Sequence, residues 1–402
     1  MDKLLLERYH DRYLSELFND CLPFWLNYGI DHENGGLYTA LMRDGSLYTH
    51  DKSVWLNGRC LWLFSSLCSL YGEKPEWRKA ADLCKSFLDN YCIDPADGRM
   101  YFTVTGDGKP LRKRRYMFSE TFYIMGSAAY GKAFGDKDAI ETARKYFDMV
   151  VSIYRDRSTD PSHPEPKVDP STRSLKAFSE PMIILNVSHV MQDCDEEYRE
   201  KYMKIAQEVT DDIFKYFYHE ELSIVLENVR PDGSFDEDSI EGRFLNPGHS
   251  IEAVWFLLEQ MERSGDKSLL PKIENIYKWA TDVGWDDKNE GLIYFCDVKG
   301  YTPFSLEHDK KVWWCTCEQL IASLRLYEVT GDAKYWEWFT RVDSYATRCF
   351  RDPEFGEWFG YLNKDNSLTT PVCKGNMFKG AFHVPRMLYQ VERCLSRLIE
   401  KS

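Results

Sequence analysis

The feature that most restricts the fold of this chain is a turn signature that returns along most of its length. The stretch Asn34-Gly-Gly-Leu-Tyr-Thr-Ala-Leu-Met-Arg-Asp-Gly-Ser-Leu-Tyr48 alternates apolar and polar residues around Asp44-Gly45. Such alternation about an Asp-Gly pair marks a β-hairpin. It returns as Gly98-Arg-Met-Tyr-Phe-Thr-Val around Asp107-Gly108 and as Leu222-Ser-Ile-Val-Leu-Glu-Asn before Asp232-Gly233. It returns again as Gly291-Leu-Ile-Tyr-Phe-Cys-Asp before Lys299-Gly300, and as Gly356-Glu-Trp-Phe-Gly-Tyr-Leu before Asp365-Asn366. The turns are spaced by roughly 60–70 residues, and one gap is about twice as long. A sixth turn therefore belongs near residues 155–175, where Asp160-Pro-Ser-His-Pro-Glu-Pro-Lys-Val runs as a proline-rich loop.

Pairs of helical patterns fill the intervals. Trp55, Arg59, Trp62, Leu63, Leu67 and Leu70 follow the 3.6 period, and after Gly72-Glu-Lys-Pro75 a second helix runs from about Trp77 to Tyr91. Comparable breaks fall at Gly135-Asp136, Gln192-Asp-Cys-Asp195, Gly265-Asp266 and Gly331-Asp332. Each Gly-Asp pair supplies a helix C-cap and then a new N-cap. The unit is inner helix, tight turn, outer helix, hairpin. Six such units predict an all-α (α/α)6 barrel, one domain over residues 1–402, with short β-hairpins on one rim. An open solenoid would need polar capping repeats. The last helix, with Phe378, Phe382, Val384, Met387, Leu388 and Val391, is as apolar as the rest. The N-terminal helix, carrying Leu4, Tyr9, Tyr13, Leu14 and Leu17, is expected to pair with it. Each hairpin leads into an inner helix, so hairpins and inner-helix N-termini share one rim. Polar residues in those first turns become the candidates for function.

Composition narrows the partners. The 402 residues carry a net charge of −14, which disfavours nucleic acid and anionic membrane. The one basic run, Arg112-Lys113-Arg114-Arg115, reads as a solvated turn; a phosphate or nucleotide contact is the other reading. No window nears 18 consecutive apolar residues, and the opening Met1-Asp2-Lys3-Leu4 has no signal region. Twelve scattered cysteines fit reduced thiols in a cytoplasm. Cys315-x-Cys317 has no second pair at zinc-ligand spacing, so buried structural thiols are expected and no metal site.

The rim positions hold a short set of polar groups. Trp55 and Arg59 lie at the start of the first inner helix. An arginine among apolar residues is ordinarily a surface ion pair, and burial would make it unusual. Tyr116 and Glu120 open the second inner helix; Glu180 opens the third, with Asn186 one to two turns on. Helix capping accounts for the two carboxylates as well as ligand binding does. In Asn246-Pro-Gly-His249-Ser-Ile-Glu252, Asn246 is a natural N-cap and Pro247 a natural first helical residue. His249 and Glu252, at i and i+3, share a face, so Glu252 is expected to orient the ring. The helix dipole should keep His249 neutral. Trp313 and Trp314 precede Glu318; paired indoles and a carboxylate suit a sugar, with core packing the alternative for one ring. Lys379, His383 and Arg386 open the last inner helix. His189 and His308 fall outside these positions.

Two histidines at equivalent positions of two units can face one another across a ring. A hydrogen beside a carbonyl is weakly acidic, and inverting that centre needs a base on each face. Arg59 would hold the developing oxyanion. No metal or redox cofactor is needed; a sugar must first open to its free aldehyde, so only a reducing end can react.

Along nearly its whole length the chain resembles the N-acylglucosamine 2-epimerase family, in its renin-binding-protein-like branch. The resemblance rests on Trp55-Leu-Asn-Gly-Arg59, Asn246-Pro-Gly-His249-Ser-Ile-Glu252, Trp313-Trp314-x-x-x-Glu318 and Phe378-Lys379-Gly380-x-Phe382-His383-Val-Pro385-Arg386. It implies an (α/α)6 barrel, a homodimer, and interconversion of N-acetylglucosamine and N-acetylmannosamine. It implies Arg59, His249, Glu252, Glu318 and His383 as the catalytic set, and ATP as a non-consumed activator in some members. Cys315-Thr-Cys317 departs from the branch, where Pro-His tends to follow the tryptophans. A cellobiose or mannobiose 2-epimerase and an aldose–ketose isomerase are the near alternatives. A glycoside hydrolase using Glu252 and Glu318, which leaves the histidines without a role, and a non-catalytic binding protein are the distant ones.

Overall fold

The computed structural model describes residues 2–114, 116–166 and 168–402. Among them, twelve long helices alternate between an inner and an outer ring. The inner helices are α2 (Val54–Tyr71), α4 (Phe118–Phe134), α6 (Ser179–Cys194), α8 (Pro247–Ser264), α10 (Trp313–Thr330) and α12 (His383–Lys401). The outer helices are α1 (Lys3–Glu16), α3 (Pro75–Tyr91), α5 (Lys137–Arg155), α7 (Arg199–Asp212), α9 (Leu270–Gly284) and α11 (Ala333–Cys349). Short wide-turn helical segments continue α1 to Gly29. Each inner helix packs beside the next, and each outer helix covers its inner partner, with α1 covering α12. The (α/α)6 barrel read from the repeat is the observed architecture.

The sequence explains which helices lie inside. From Trp313 to Leu324, α10 is buried on every face. Its outer partner α11 buries only one stripe, including Tyr335, Phe339, Val342 and Tyr345. Gly58 of α2 and Gly126 of α4 bring those two backbones together. A Cβ on Gly126 would come within 2.8 Å of the Gly58 carbonyl oxygen. The helix ends follow the Gly-Asp pairs: Gly135, Gly265 and Gly331 adopt left-handed C-caps, and Asp136, Asp266 and Asp332 accept from the next turn's backbone N–H. The ring closes where Trp62 of α2 meets Phe382 and Tyr389 at 5.4 and 6.1 Å, and where Tyr71 donates to Glu392 at 2.5 Å.

The rim differs from the expected row of separate hairpins. Turns form at all five expected sites, Asp44-Gly45, Asp107-Gly108, Asp232-Gly233, Lys299-Gly300 and Asp365-Asn366, but most strand pairs join one unit to the next. Lys52–Ser53 pairs with Thr103–Val104, and Lys176–Ala177 with Asn228–Val229. Phe244–Leu245 pairs with Cys296–Asp297, and Lys311–Val312 with Tyr361–Leu362. A bridge between Met42 and Cys373 joins the first unit to the last. Between the second and third units the link is an ion pair, from Arg99 to Asp160 of the proline-rich loop. Strand alternation shows that a segment pairs; it does not show with what.

A buried lysine latches several rim segments. The Lys52 ammonium donates to Asp31 at 2.6 Å and to the carbonyls of Gly35 and Gly106. Lys311 does the same with Asp286 and the carbonyls of Glu290 and Gly291. Lys374 pairs with Asp352 at 2.8 Å. Each latch folds the end of a segment back onto its start, just before an inner helix begins. Removing one partner of a buried pair strands the other charge. Lys311→Met is therefore expected to cost about 3–5 kcal/mol, seen as a clear fall in Tm by calorimetry. The exposed Lys288→Met should stay within about 0.5 kcal/mol. Equal effects would remove the latch from the account of stability.

Candidate active site

The site lies where the inner helices begin. Pro247 opens α8 and the Asn246 side chain accepts from the His249 backbone N–H at 3.3 Å, as the sequence predicts. Gly248 lets this end press on α10, because a Cβ there would come within 2.4 Å of the Cys315 sulfur and 2.6 Å of the Trp314 ring. Cys315 and Cys317 are buried thiols. Trp314 consequently stands beside both imidazoles. Its ring centroid is 5.4 Å from His249 and 5.9 Å from His383, tilted about equally to each. Trp313 turns its edge to His383 at 6.2 Å. Residues from three consecutive units thus meet around one indole.

Each histidine has a carboxylate on Nδ1. Glu318 is 2.8 Å from Nδ1 of His383, and its other oxygen accepts from Trp255 Nε1 at 2.8 Å. For His249 the partner is Glu227, with both oxygens within 3.1 Å. In the neutral ring Nδ1–H donates to the carboxylate, which leaves Nε2 as the basic nitrogen. Glu252, expected to orient His249, instead accepts from Arg386 at 2.7 Å. Glu227 is missing from the residues singled out by sequence. The available signal was register: Glu227 falls two residues from the buried Val225 and Val229, where a carboxylate is out of place.

The electrostatics of the two rings diverge. Burial favours neutral His249, but Glu227 outweighs it and raises the imidazole above its ordinary value. This corrects the expectation from the helix dipole alone. His383 is pushed well below its ordinary value by burial, then by Arg386 and Arg59. Arg386 donates to both Glu252 and Glu318 through Nη2, at 2.7 and 2.6 Å. Glu252, Glu318 and His383 bring potential ligand atoms within 4.8 Å of one another. Arg386 already occupies an oxygen of each of those carboxylates and places its own positive charge there, so the group does not suit a metal ion.

Arg59 is the unusual cation. Its guanidinium lies over Phe122 at 4.0 Å and Phe382 at 4.6 Å, and it forms no ion pair among the described residues. Burial, then repulsion from Arg386, lowers it to about 9. An arginine held in an aromatic clamp without a bonded carboxylate keeps donors available to an anionic group.

Several expected substrate contacts are engaged by the protein itself. Glu120 accepts from Arg99 and from the Met100 backbone at 2.7 Å, which anchors a rim loop. Glu180 pairs with Arg157. Lys379 is buried against Glu357 at 2.8 Å, alongside the Trp25 indole. Arg386 is held by its two carboxylates. Asn186 faces inward, but into a cavity of about 260 Å³ near the opposite end of the inner helices, with His189 and Tyr389. Trp55 packs among Phe102, Phe118 and Phe378 on the rim, and Tyr116 is exposed beside Phe118. In the basic run, Lys113 pairs with Asp94 and Asp97 and Arg114 lies on the Phe102 ring at 3.7 Å, while Arg115 lies outside the described residues.

A helical barrel with two carboxylate-held imidazoles and a free guanidinium at its mouth defines a proton-transferring sugar isomerase class. The comparisons agree with that class. A profile of the family described as N-acylglucosamine 2-epimerase (GlcNAc 2-epimerase) matches residues 36–383. The chain is 36% identical to N-acylglucosamine 2-epimerase of Bos taurus, covering 98% of this chain and 93% of that one. It is 34% identical to the Homo sapiens protein of that name, covering 98% and 92%. The structure of cellobiose 2-epimerase from Spirochaeta thermophila superposes with a TM-score of 0.85 at 23% identity, covering 98% of each chain. The chain belongs to the N-acylglucosamine 2-epimerase family.

The contrast between two rim cations is testable without substrate. Lys379→Met strands Glu357 and should cost about 3 kcal/mol or more. Arg59→Met removes a desolvated charge that has no counter-ion, so its Tm should stay level or rise. A large Tm loss in Arg59→Met would mean that the guanidinium holds the fold together.

Proposed function

We propose that the protein is an N-acyl-D-glucosamine 2-epimerase that interconverts N-acetylglucosamine and N-acetylmannosamine. The observation that carries this reading is the pair of carboxylate-held imidazoles over one indole, next to an arginine with no counter-ion. Full-length similarity to curated N-acylglucosamine 2-epimerases supports the substrate class. The sugar enters the chemistry as its open aldehyde. One histidine removes the C2 proton, and the electron pair moves onto the carbonyl oxygen. Arg59 faces that developing oxyanion; one such donor is typically worth about 10²–10³ in rate. The other histidine returns a proton to the opposite face of C2, and the carbonyl re-forms. Trp313 and Trp314 offer aromatic faces for the sugar. Glu318 and Glu227 hold the rings, and Arg386 holds Glu318 and Glu252.

The same reading includes a homodimer in the cytoplasm and ATP as a non-consumed activator. All twelve cysteines are free thiols, which suits a reducing compartment. Sedimentation and assays with and without ATP decide the other two parts.

Incubating N-acetylglucosamine with the protein in D₂O should give both epimers labelled at C2, followed by NMR. A ketose product would replace epimerisation with isomerisation. His249→Ala and His383→Ala should each lower turnover by at least about 10²-fold with unchanged far-UV circular dichroism. Normal turnover in either variant removes that ring from the mechanism.

A further inference from the structure

We propose that Glu227 and Arg386 together place the site's single mobile proton on His249 at rest, leaving His383 as the base that acts first. This rests on the two-histidine reading above. Three carboxylates, Glu227, Glu252 and Glu318, face two guanidiniums, Arg59 and Arg386. The fixed charges leave one negative charge over, and one imidazolium balances it. Geometry says where that charge lies. Glu252 and Glu318 share the Arg386 guanidinium at 2.7 and 2.6 Å. Among the described residues Glu227 touches no cation but His249, at 2.9 Å. The groups facing His249 are Glu227 from the rim, Glu252 on its own helix, Trp314 from α10 and His383 from α12. Those facing His383 are Glu318 from α10, Arg386 on its own helix, Arg59 from α2, and Glu252 and His249 from α8. Two guanidiniums disfavour a proton on His383, and none opposes one on His249.

The consequence is directional. In the first turnover the C2–H bond breaks toward His383 Nε2, and its electron pair passes to the carbonyl oxygen beside Arg59. His249 Nε2–H then delivers its proton to the opposite face of C2. The protein is left with His383 charged beside two guanidiniums and Glu227 facing a neutral ring. Before it takes the same epimer again, His383 must release a proton to water and His249 must regain one. The other epimer needs this less favourable arrangement from the start. Glu227 is thus a positioning residue, acting through His249.

The test is the pH profile of kcat/KM for wild type, Glu227→Gln and Glu227→Asp. His249 carries its proton below its raised pKa, so loss of that proton sets the alkaline limb. Glu227→Gln removes the charge that raises it. The limb should move to lower pH by about one unit, cutting the rate about tenfold on that side. The acid limb, set by protonation of His383, should stay in place, and Glu227→Asp should restore the alkaline one. A uniformly lower rate with an unmoved limb would reduce Glu227 to a structural part and overturn the proposal. A second measurement needs no turnover and survives failure of the substrate assignment. Imidazole NMR of the free protein, with signals assigned through His249→Asn and His383→Asn, should show His249 titrating at higher pH than His383. The reverse order overturns the proposal even if Glu227→Gln does not fold. A correct order with no activity on N-acetylglucosamine strikes only the proposed substrate.

Discussion

The arrangement depends on one guanidinium, that of Arg386, lodged between carboxylates from two neighbouring helices. It is 2% exposed and joins α12 to Glu252 of α8 and Glu318 of α10. Without it, two carboxylates would sit close together in a dry barrel axis, where like charges repel and each has lost its hydration. With it, Glu318 has a counter-ion while still accepting from His383, and Trp255 fixes its second oxygen. One cation thereby ties three inner helices together and sets the orientation and charge of a histidine. Arginine suits this place because its planar fork serves several acceptors and stays charged when buried.

That clamp works only because the barrel is closed at its rim as well as along its helices. Buried lysines fold rim segments back on themselves just before α2, α10 and α12 begin. Strand pairs, and between the second and third units the Arg99–Asp160 ion pair, then hand each segment to the next unit, and the Met42–Cys373 bridge joins the last unit to the first. The inner-helix N-termini are thus held from above by paired backbone and from the side by helix packing. Two imidazoles more than a hundred positions apart in sequence depend on this double constraint to share one indole. Small errors at each junction of an open stack would accumulate, whereas a closed ring returns them to zero.

The sequence made the local features plain. Turn spacing revealed the units, Gly-Asp pairs revealed the helix breaks, and Asn246-Pro247 revealed the start of α8. The two histidines were legible because a repeated architecture makes equivalent positions meaningful. Partners were harder to read. Glu252 looked like the carboxylate for His249 because three residues separate them on one helix, but Arg386, 134 positions away, claims it. Glu227 belongs to a different rim segment and carries no helical spacing to betray it. Glu120 and Lys379 stand at substrate-like positions, and only the fold shows Arg99 and Glu357 already beside them. A carboxylate or ammonium reads alike in a one-dimensional string whether its counter-ion is a ligand or the chain.

Arg59 shows the same logic in reverse. Natural proteins rarely desolvate a cation without a counter-ion, and the half-buried Arg59 feels the carboxylates of Glu252 and Glu318 only through space. Neither is placed to bond with it; Phe122 and Phe382 hold it by their faces instead. In the proposed reaction, a carboxylate partner would stabilise the resting protein and weaken the pull of Arg59 on the developing oxyanion. Aromatic faces fix the guanidinium while leaving its strongest hydrogen bonds unmade. The fold tolerates this local strain because the latches and the Arg386 clamp stabilise the surrounding helices independently. On the proposed chemistry, readiness for reaction is therefore the absence of one salt bridge inside a framework supplied with many.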